Sequence, residues 1–209
     1  MVLVKICGNT TEEDALNALK FGADLIGVIV EVPIETPRKV NVSKAKKILA
    51  KVQGKGVMVI MPKSFEQANK LYQSVTPDYI QLHGNESLNI LKKLKKLPCK
   101  LIKTIHVSGK DAISDSLRYA PYCDYLLLDT FSLKMGGSGK KHDWDISKEI
   151  VEKVNVPVIL AGGLNPTNVK GAIKTVKPFA VDVVSGIESS RGNKDFSKVK
   201  SFIGTAKQS

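Results

Sequence analysis

The sequence predicts a single-domain α/β fold, a (β/α)8 TIM barrel running over residues 1–209, on three observations. Short runs rich in β-branched and aliphatic residues alternate from end to end with longer segments of helical period, which is the mark of repeated βα units. Eight such units fit into 209 residues, close to the shortest chain that closes such a barrel. No G-x-G-x-x-G run follows the first strand, as an open dinucleotide-binding sheet would require.

In chain order the strands are expected at Val2–Cys7, Leu25–Val30, Gly56–Met61, Tyr79–His83, Lys100–His106, Tyr125–Asp129, Val156–Ala161 and Phe179–Ser185. Between them, helix starts are signalled by residues whose side chains cap free backbone N–H groups. These are Thr10 before Thr11-Glu12-Glu13, Ser43 before a lysine-alanine run, Ser64 before Phe65-Glu66-Gln67, and Asn165-Pro166 ahead of Val169. The run Lys92-Lys93-Leu94-Lys95-Lys96 carries Leu91, Leu94 and Leu97 at helical spacing, so its lysines form the solvated face of an amphipathic helix. Gly136-Gly137-Ser138-Gly139 and the polar residues up to Asp143 read as a long loop, suited to a lid over a site. Trp144 is equally well placed to anchor the next helix by packing. No linker or low-complexity tract divides the chain.

Composition excludes several classes of function. The longest apolar run, Leu25–Val30, is far short of the roughly 20 residues a membrane span needs. The N-terminus opens directly on a strand and not on a secretory leader, so a cytoplasmic protein is expected. Cys7, Cys99 and Cys123 form no pair with metal or disulfide spacing and read as reduced thiols. The net charge of +12 is almost wholly lysine, since only Arg38, Arg118 and Arg191 among 32 basic residues are arginine. Such a surface attracts anions. Aromatics are 6% of residues and are not interleaved with the basic ones, so a nucleic-acid partner is not expected.

Barrel enzymes carry their chemistry at the C-terminal ends of the strands. Read there, the chain offers Cys7, His83, His106, Asp129, Gly162 with Gly163, and Ser185 with Gly186. The two glycine-containing loops follow the seventh and eighth strands, where main-chain N–H groups hold phosphate in such barrels; either alone would read as a tight turn. Cys7 shares a strand face with Lys5 by the period of two, and a nearby ammonium favours the thiolate; the plainer reading is an inert buried thiol. Asp129 ends the apolar run Leu126-Leu127-Leu128, where partial burial raises a carboxyl pKa and lets it hold a proton; a helix cap is the alternative. Arg38 follows Pro37 in a loop and has the fork to grip a carboxylate, although a lone arginine more often faces solvent. His83 is joined by no second histidine or acid at metal spacing, so no metal is expected.

Taken together, Val4-Lys5-Ile6-Cys7-Gly8, Pro37-Arg38, Gln81-Leu82-His83-Gly84, Leu128-Asp129, Ala161-Gly162-Gly163-Leu164 and Asp182-Val183-Val184-Ser185-Gly186-Ile187-Glu188 resemble the phosphoribosylanthranilate isomerase family of tryptophan biosynthesis over almost the whole chain. The resemblance implies that Cys7 is the general base and Asp129 the general acid of an Amadori rearrangement. It implies that the ligand is a small phosphosugar-anthranilate, contacted by Arg38, His83, Gly162, Gly163, Asp182, Ser185 and Gly186, without cofactor, in a monomer or homodimer. Two positions depart from the family pattern: Thr36 where serine is usual, and Val184 where a polar residue is common. Neither removes a group that carries the chemistry. Other phosphosugar barrels rely on a catalytic lysine, on metal-binding histidines and aspartates, or on paired aspartates, whereas the first strand here presents Cys7.

Overall fold

The computed structural model describes residues 1–130 and 143–209. The expected lid at Gly136–Gly139, with Lys140, Lys141 and His142, lies outside the described residues. Eight parallel strands close a barrel: β1 (Leu3–Ile6), β2 (Leu25–Val30), β4 (Gly56–Ile60), β5 (Tyr79–Leu82), β6 (Lys100–Val107), β7 (Tyr125–Thr130), β8 (Val158–Leu160) and β9 (Ala180–Val183). Closure is made by β1, which pairs with β2 on one side and with β9 on the other. A two-residue strand, β3 (Lys39–Val40), extends the sheet beside β2, and β10 (Glu188–Ser190) pairs antiparallel with β11 (Asn193–Lys194) after the last barrel strand. None of these three short strands was expected, because runs so brief carry no periodicity.

The barrel strands match the expected runs with shifted ends. The first stops at Ile6, the seventh covers only Val158–Leu160, and the eighth ends at Val183, so that Ser185 opens a short 3-10 helix, Ser185–Ile187. The catalytic candidates therefore stand at or just beyond the strand ends, where the backbone turns away from the ladder. Cys7 still donates its N–H to Val183 O at 3.0 Å, and His83 to Ile60 O at 3.0 Å.

Eight helices surround the barrel: α1 (Glu12–Lys20), α2 (Val42–Ala50), α3 (Phe65–Val75), α4 (Leu88–Leu94), α5 (Asp111–Tyr119), α6 (Trp144–Lys153), α7 (Val169–Val176) and α8 (Phe196–Lys207). Ser64 caps α3 as expected, accepting from Gln67 N. Three starts differ by one to three residues, that of α7 falling at Asn168 and not at Asn165. Thr11, not Thr10, caps α1, because its hydroxyl accepts from Asp14 N while Asp14 accepts from the Thr11 backbone, a reciprocal capping box. Asn41, not Ser43, caps α2 by accepting from Lys44 N. In α4, Leu91 and Leu94 are buried and the lysines exposed, as the helical spacing required. Trp144 opens α6 and packs against the core between barrel and helices.

Two apolar layers result. Outward-facing strand residues meet the helices, and a smaller inner layer that includes Val57, Val59, Ile102, Leu127 and Ile159 fills the barrel. Cys7 belongs to this inner layer. Among the described residues, no helix is long and apolar enough to cross a membrane.

Candidate active site

The seam that closes the barrel positions the first cluster. Lys5 on β1 and Asp182 on β9 are register partners, and Lys5 Nζ donates to Asp182 Oδ1 at 2.9 Å with both side chains buried. The ammonium also acts electrostatically on the thiol of Cys7, two residues along the same face. Gly27 on β2 makes room for that thiol, since a Cβ at this position would sit 2.5 Å from Cys7 Sγ. Lys5 was expected to favour the thiolate. Burial outweighs it, aided by the neighbouring Asp182 carboxylate, and the Cys7 thiol stands above its ordinary pKa. The reason is that the Lys5 charge is already matched by Asp182.

Asp129, near the end of β7, shows the raised pKa expected from burial. Burial pushes its pKa up to about 7, the Asp182 carboxylate adds to the rise, and a hydrogen bond from Thr130 N opposes it. Facing it is His83, whose Nε2 lies 3.7 Å from Asp129 Oδ2. His83 Nδ1 is held 3.2 Å from both the Gln81 amide nitrogen and the Thr104 hydroxyl. Burial and the nearby His106, Lys5 and Lys103 depress His83 to about 3, so its ring is neutral. His106, the register partner of Asp129, packs edge-on to His83 and lies 3.1 Å from the His83 carbonyl through Nε2.

His83, His106 and Asp129 bring one ligand atom each within 4.8 Å of one another. This corrects the expectation that no second histidine or acid joins His83, because chain spacing does not show which strand ends a barrel makes adjacent. The trio has the donor set of a divalent-cation site. A carboxylate coordinating a cation carries no proton, so that use and acid catalysis by Asp129 exclude one another.

Arg38 does not face solvent, the usual fate of a lone arginine. It is 4% exposed, and its Nε and Nη2 donate to Glu188 Oε1 and Oε2 at 2.8 and 2.6 Å. This fork fixes the guanidinium while leaving the Nη1 edge without a partner among the described residues. Lys194 reaches the same carboxylate at 3.6 Å and donates to Cys7 O at 2.6 Å. Reading the sequence alone assigned no role to Glu188, Lys194, Gln81 or Thr104. Gln81 and Glu188 stand within the runs that carry the family resemblance but received no role of their own, Thr104 and Lys194 stand in none, and only barrel closure brings the four to the strand ends.

The two glycine loops interlock as a single feature. Gly162 and Gly163 adopt φ of 84° and 67°, which side-chain-bearing residues rarely adopt. Gly186 packs so closely on the Leu164 carbonyl and Asn165 that a Cβ there would collide with backbone. Among the described residues, the N–H groups of Gly162, Gly163, Ser185 and Gly186 donate to no protein acceptor. Unpaired N–H groups on two loops in contact are the kind of donor set that binds an anion.

Comparison with known proteins agrees with this geometry. The family model for N-(5'-phosphoribosyl)anthranilate isomerase matches residues 4–205. The isomerases of Methanocella arvoryzae and Methanocaldococcus jannaschii are 42% and 41% identical to this chain, with 97% and 100% of it and 97% and 98% of theirs aligned. The crystal structure of the Thermotoga maritima enzyme superposes with a TM-score of 0.90 at 36% identity, over the whole of both chains. A phosphoribosyl anthranilate isomerase solved with reduced 1-(o-carboxyphenylamino)-1-deoxyribulose 5-phosphate superposes with a TM-score of 0.86 at 34% identity, again over all of both chains. With the family model matching nearly the whole chain and relatives about 40% identical over nearly their full length, the chain belongs to the N-(5'-phosphoribosyl)anthranilate isomerase family.

Proposed function

We propose that this chain converts N-(5'-phosphoribosyl)anthranilate to 1-(2-carboxyphenylamino)-1-deoxyribulose 5-phosphate, the third step from chorismate to tryptophan, with Asp129 as general acid and Cys7 as general base. The observation that carries the assignment is the pairing of a carboxyl titrating at about 7 with a thiol held above its usual value, on opposite sides of one barrel mouth. One proton shared between such groups leaves either an acid with a base or the inverse pair.

The chemistry follows from that pair. Asp129 gives its proton to the furanose ring oxygen as the C1'–O bond breaks, and the anthranilate nitrogen lone pair forms the Schiff base. The Cys7 thiolate then takes the C2' proton, and its bonding electrons move to neutralise the iminium, leaving an enolamine. Protonation at C1' and loss of the 2'-hydroxyl proton complete the ketone. Arg38, aligned by Glu188, meets the anthranilate carboxylate with its Nη1 edge. The Gly162–Gly163 and Ser185–Gly186 amides take the phosphate. Asp182 has one oxygen engaged by Lys5 and offers the other to a sugar hydroxyl, and the neutral His83 ring lines the same mouth.

The test is loss of anthranilate fluorescence when freshly generated phosphoribosylanthranilate meets the purified protein in EDTA. Wild type turns over, whereas Cys7→Ser and Asp129→Asn lose most of kcat while keeping substrate affinity. Near-normal turnover by either variant removes that residue from its role.

A further inference from the structure

The hairpin after the last barrel strand carries a buried charge that the proton-transfer chemistry does not use. Glu188 on β10 and Lys194 on β11 are register partners, so the turn aims both inward, and their side chains are 4% and 1% exposed. Lys194 Nζ donates to the Cys7 carbonyl at 2.6 Å and more weakly to Val184 O at 3.5 Å. Its one nearby buried carboxylate, Glu188, is already engaged on both oxygens by Arg38.

The buried charges of this region do not balance. Lys5, Arg38 and Lys194 supply three cations, and Asp182 and Glu188 two carboxylates. Lys5 is matched by Asp182 and Arg38 by Glu188, so Lys194 has a share of the Glu188 carboxylate, at 3.6 Å, and the more distant field of Asp14. Burying an ammonium whose counter-charge is shared with another cation is costly, a cost that packing alone would avoid with a methionine or leucine at this position. The groups facing Cys7 are Lys5 from its own strand, Asp182 from β9 and Lys194 from the hairpin; Lys194 in turn faces Arg38, Glu188 and, from α1, Asp14.

We infer that Lys194 is a positioning residue of the isomerisation: its ammonium, fixed on the Cys7 carbonyl and sharing the Glu188 carboxylate with Arg38, is the counter-charge against which the Cys7 thiolate forms, and its contact with Glu188 ties that thiol to the Arg38 anchor. The inference rests on the proposed role of Cys7 as base. It also explains why the hairpin is folded inward and not left as a solvated turn.

The experiment follows the pH dependence of Cys7 alkylation by iodoacetamide, read by mass spectrometry on the Cys7 peptide so that Cys99 and Cys123 do not contribute. Lys194→Met raises the midpoint by about one pH unit, the lower end of the effect of an opposite charge within ion-pair range. Lys194→Arg returns it toward the wild-type value. In turnover, Lys194→Met loses about tenfold in kcat at neutral pH, matching that shift, and the deficit holds until pH passes the wild-type thiol pKa and closes only above it. A purely structural defect leaves the deficit constant with pH. If Lys194→Met does not fold, Glu188→Gln reads the same coupling in reverse, lowering the midpoint by freeing the ammonium. Unchanged midpoints in these variants overturn the inference. Turnover by Cys7→Ser would instead remove Cys7 as base, a separate result that leaves the alkylation shift standing as a measure of the ion pairing alone.

Discussion

Asp129 is held in a protonation state that its surroundings disfavour breaking, and this has a consequence for stability as well as for catalysis. Its folded pKa is about 7, against roughly 3.9 for an unperturbed aspartate. Because the folded value is the higher one, the unfolded chain releases this proton first, and the side chain destabilises the fold increasingly as pH rises from about 4 to 7. Asp129→Asn, which keeps the shape and removes the charge, is therefore expected to raise Tm by a few degrees at about pH 8 and by less at about pH 5 while abolishing turnover; thermal melts at the two pH values check it. Arg38→Ala is expected to raise KM by one to two orders of magnitude with a smaller change in kcat, as loss of a charged carboxylate contact should. Steady-state kinetics would contradict the carboxylate role if KM were unaltered. Cys7, Asp129 and the glycine pairs were legible in the sequence because each stands where a periodic strand ends. The pairing of Glu188 with Arg38 and Lys194 was not, since Glu188 ends a family-like run that does not show its partners and nothing local distinguishes Lys194 from the many other charges of a lysine-rich chain.

At the scale of elements, β1 and β2 must lie close enough for the thiol of one to occupy the space a side chain would take on the other. Gly27 is the position that permits this. Gly27→Ala is expected to push Cys7 out of line, with roughly 1–3 kcal/mol of overpacking strain and a larger loss of kcat than of stability. Denaturant melts and turnover measured together check it, and wild-type kcat would show that the thiol has room to spare. The strands were readable from their aliphatic runs, and α3 and α4 from their caps and leucine spacing. The errors have local causes. Thr10 and Thr11 are both cap formers, as are Asn41 and Ser43, and only the backbone conformation selects between them. Strand ends at Cys7, Ser185 and Ala161 were overrun because apolar residues continue past the last ladder bond into the turns. The hairpin of β10 and β11 leaves no periodic trace in so few residues.

Over the whole molecule, the ion pair of Lys5 and Asp182 sits on the seam between the first and last strands, beside the proposed base Cys7. Removing one partner leaves an uncompensated buried charge, so Lys5→Met is expected to destabilise the barrel by about 3–5 kcal/mol. Pairing it with Asp182→Leu should recover much of that stability without recovering turnover, a separation that chemical denaturation and kinetics can read in the same samples. The sequence foretold a barrel from its eight alternating units, but not which polar residues meet when its ends join; that depends on strand register, which no single strand records.

The central claim, that Cys7 and Asp129 share one catalytic proton, is tested most directly by the pH dependence of kcat/KM for the wild-type enzyme. Below about 7 both groups hold protons and no base is present; above the raised pKa of the thiol both have lost them and no acid remains. The expected profile rises through about pH 7, a unit above the second ionisation of a phosphate monoester near 6, and falls on the alkaline side beyond the usual cysteine range. A profile that stays flat between about pH 6 and 8 would contradict the shared proton and the roles assigned to both residues.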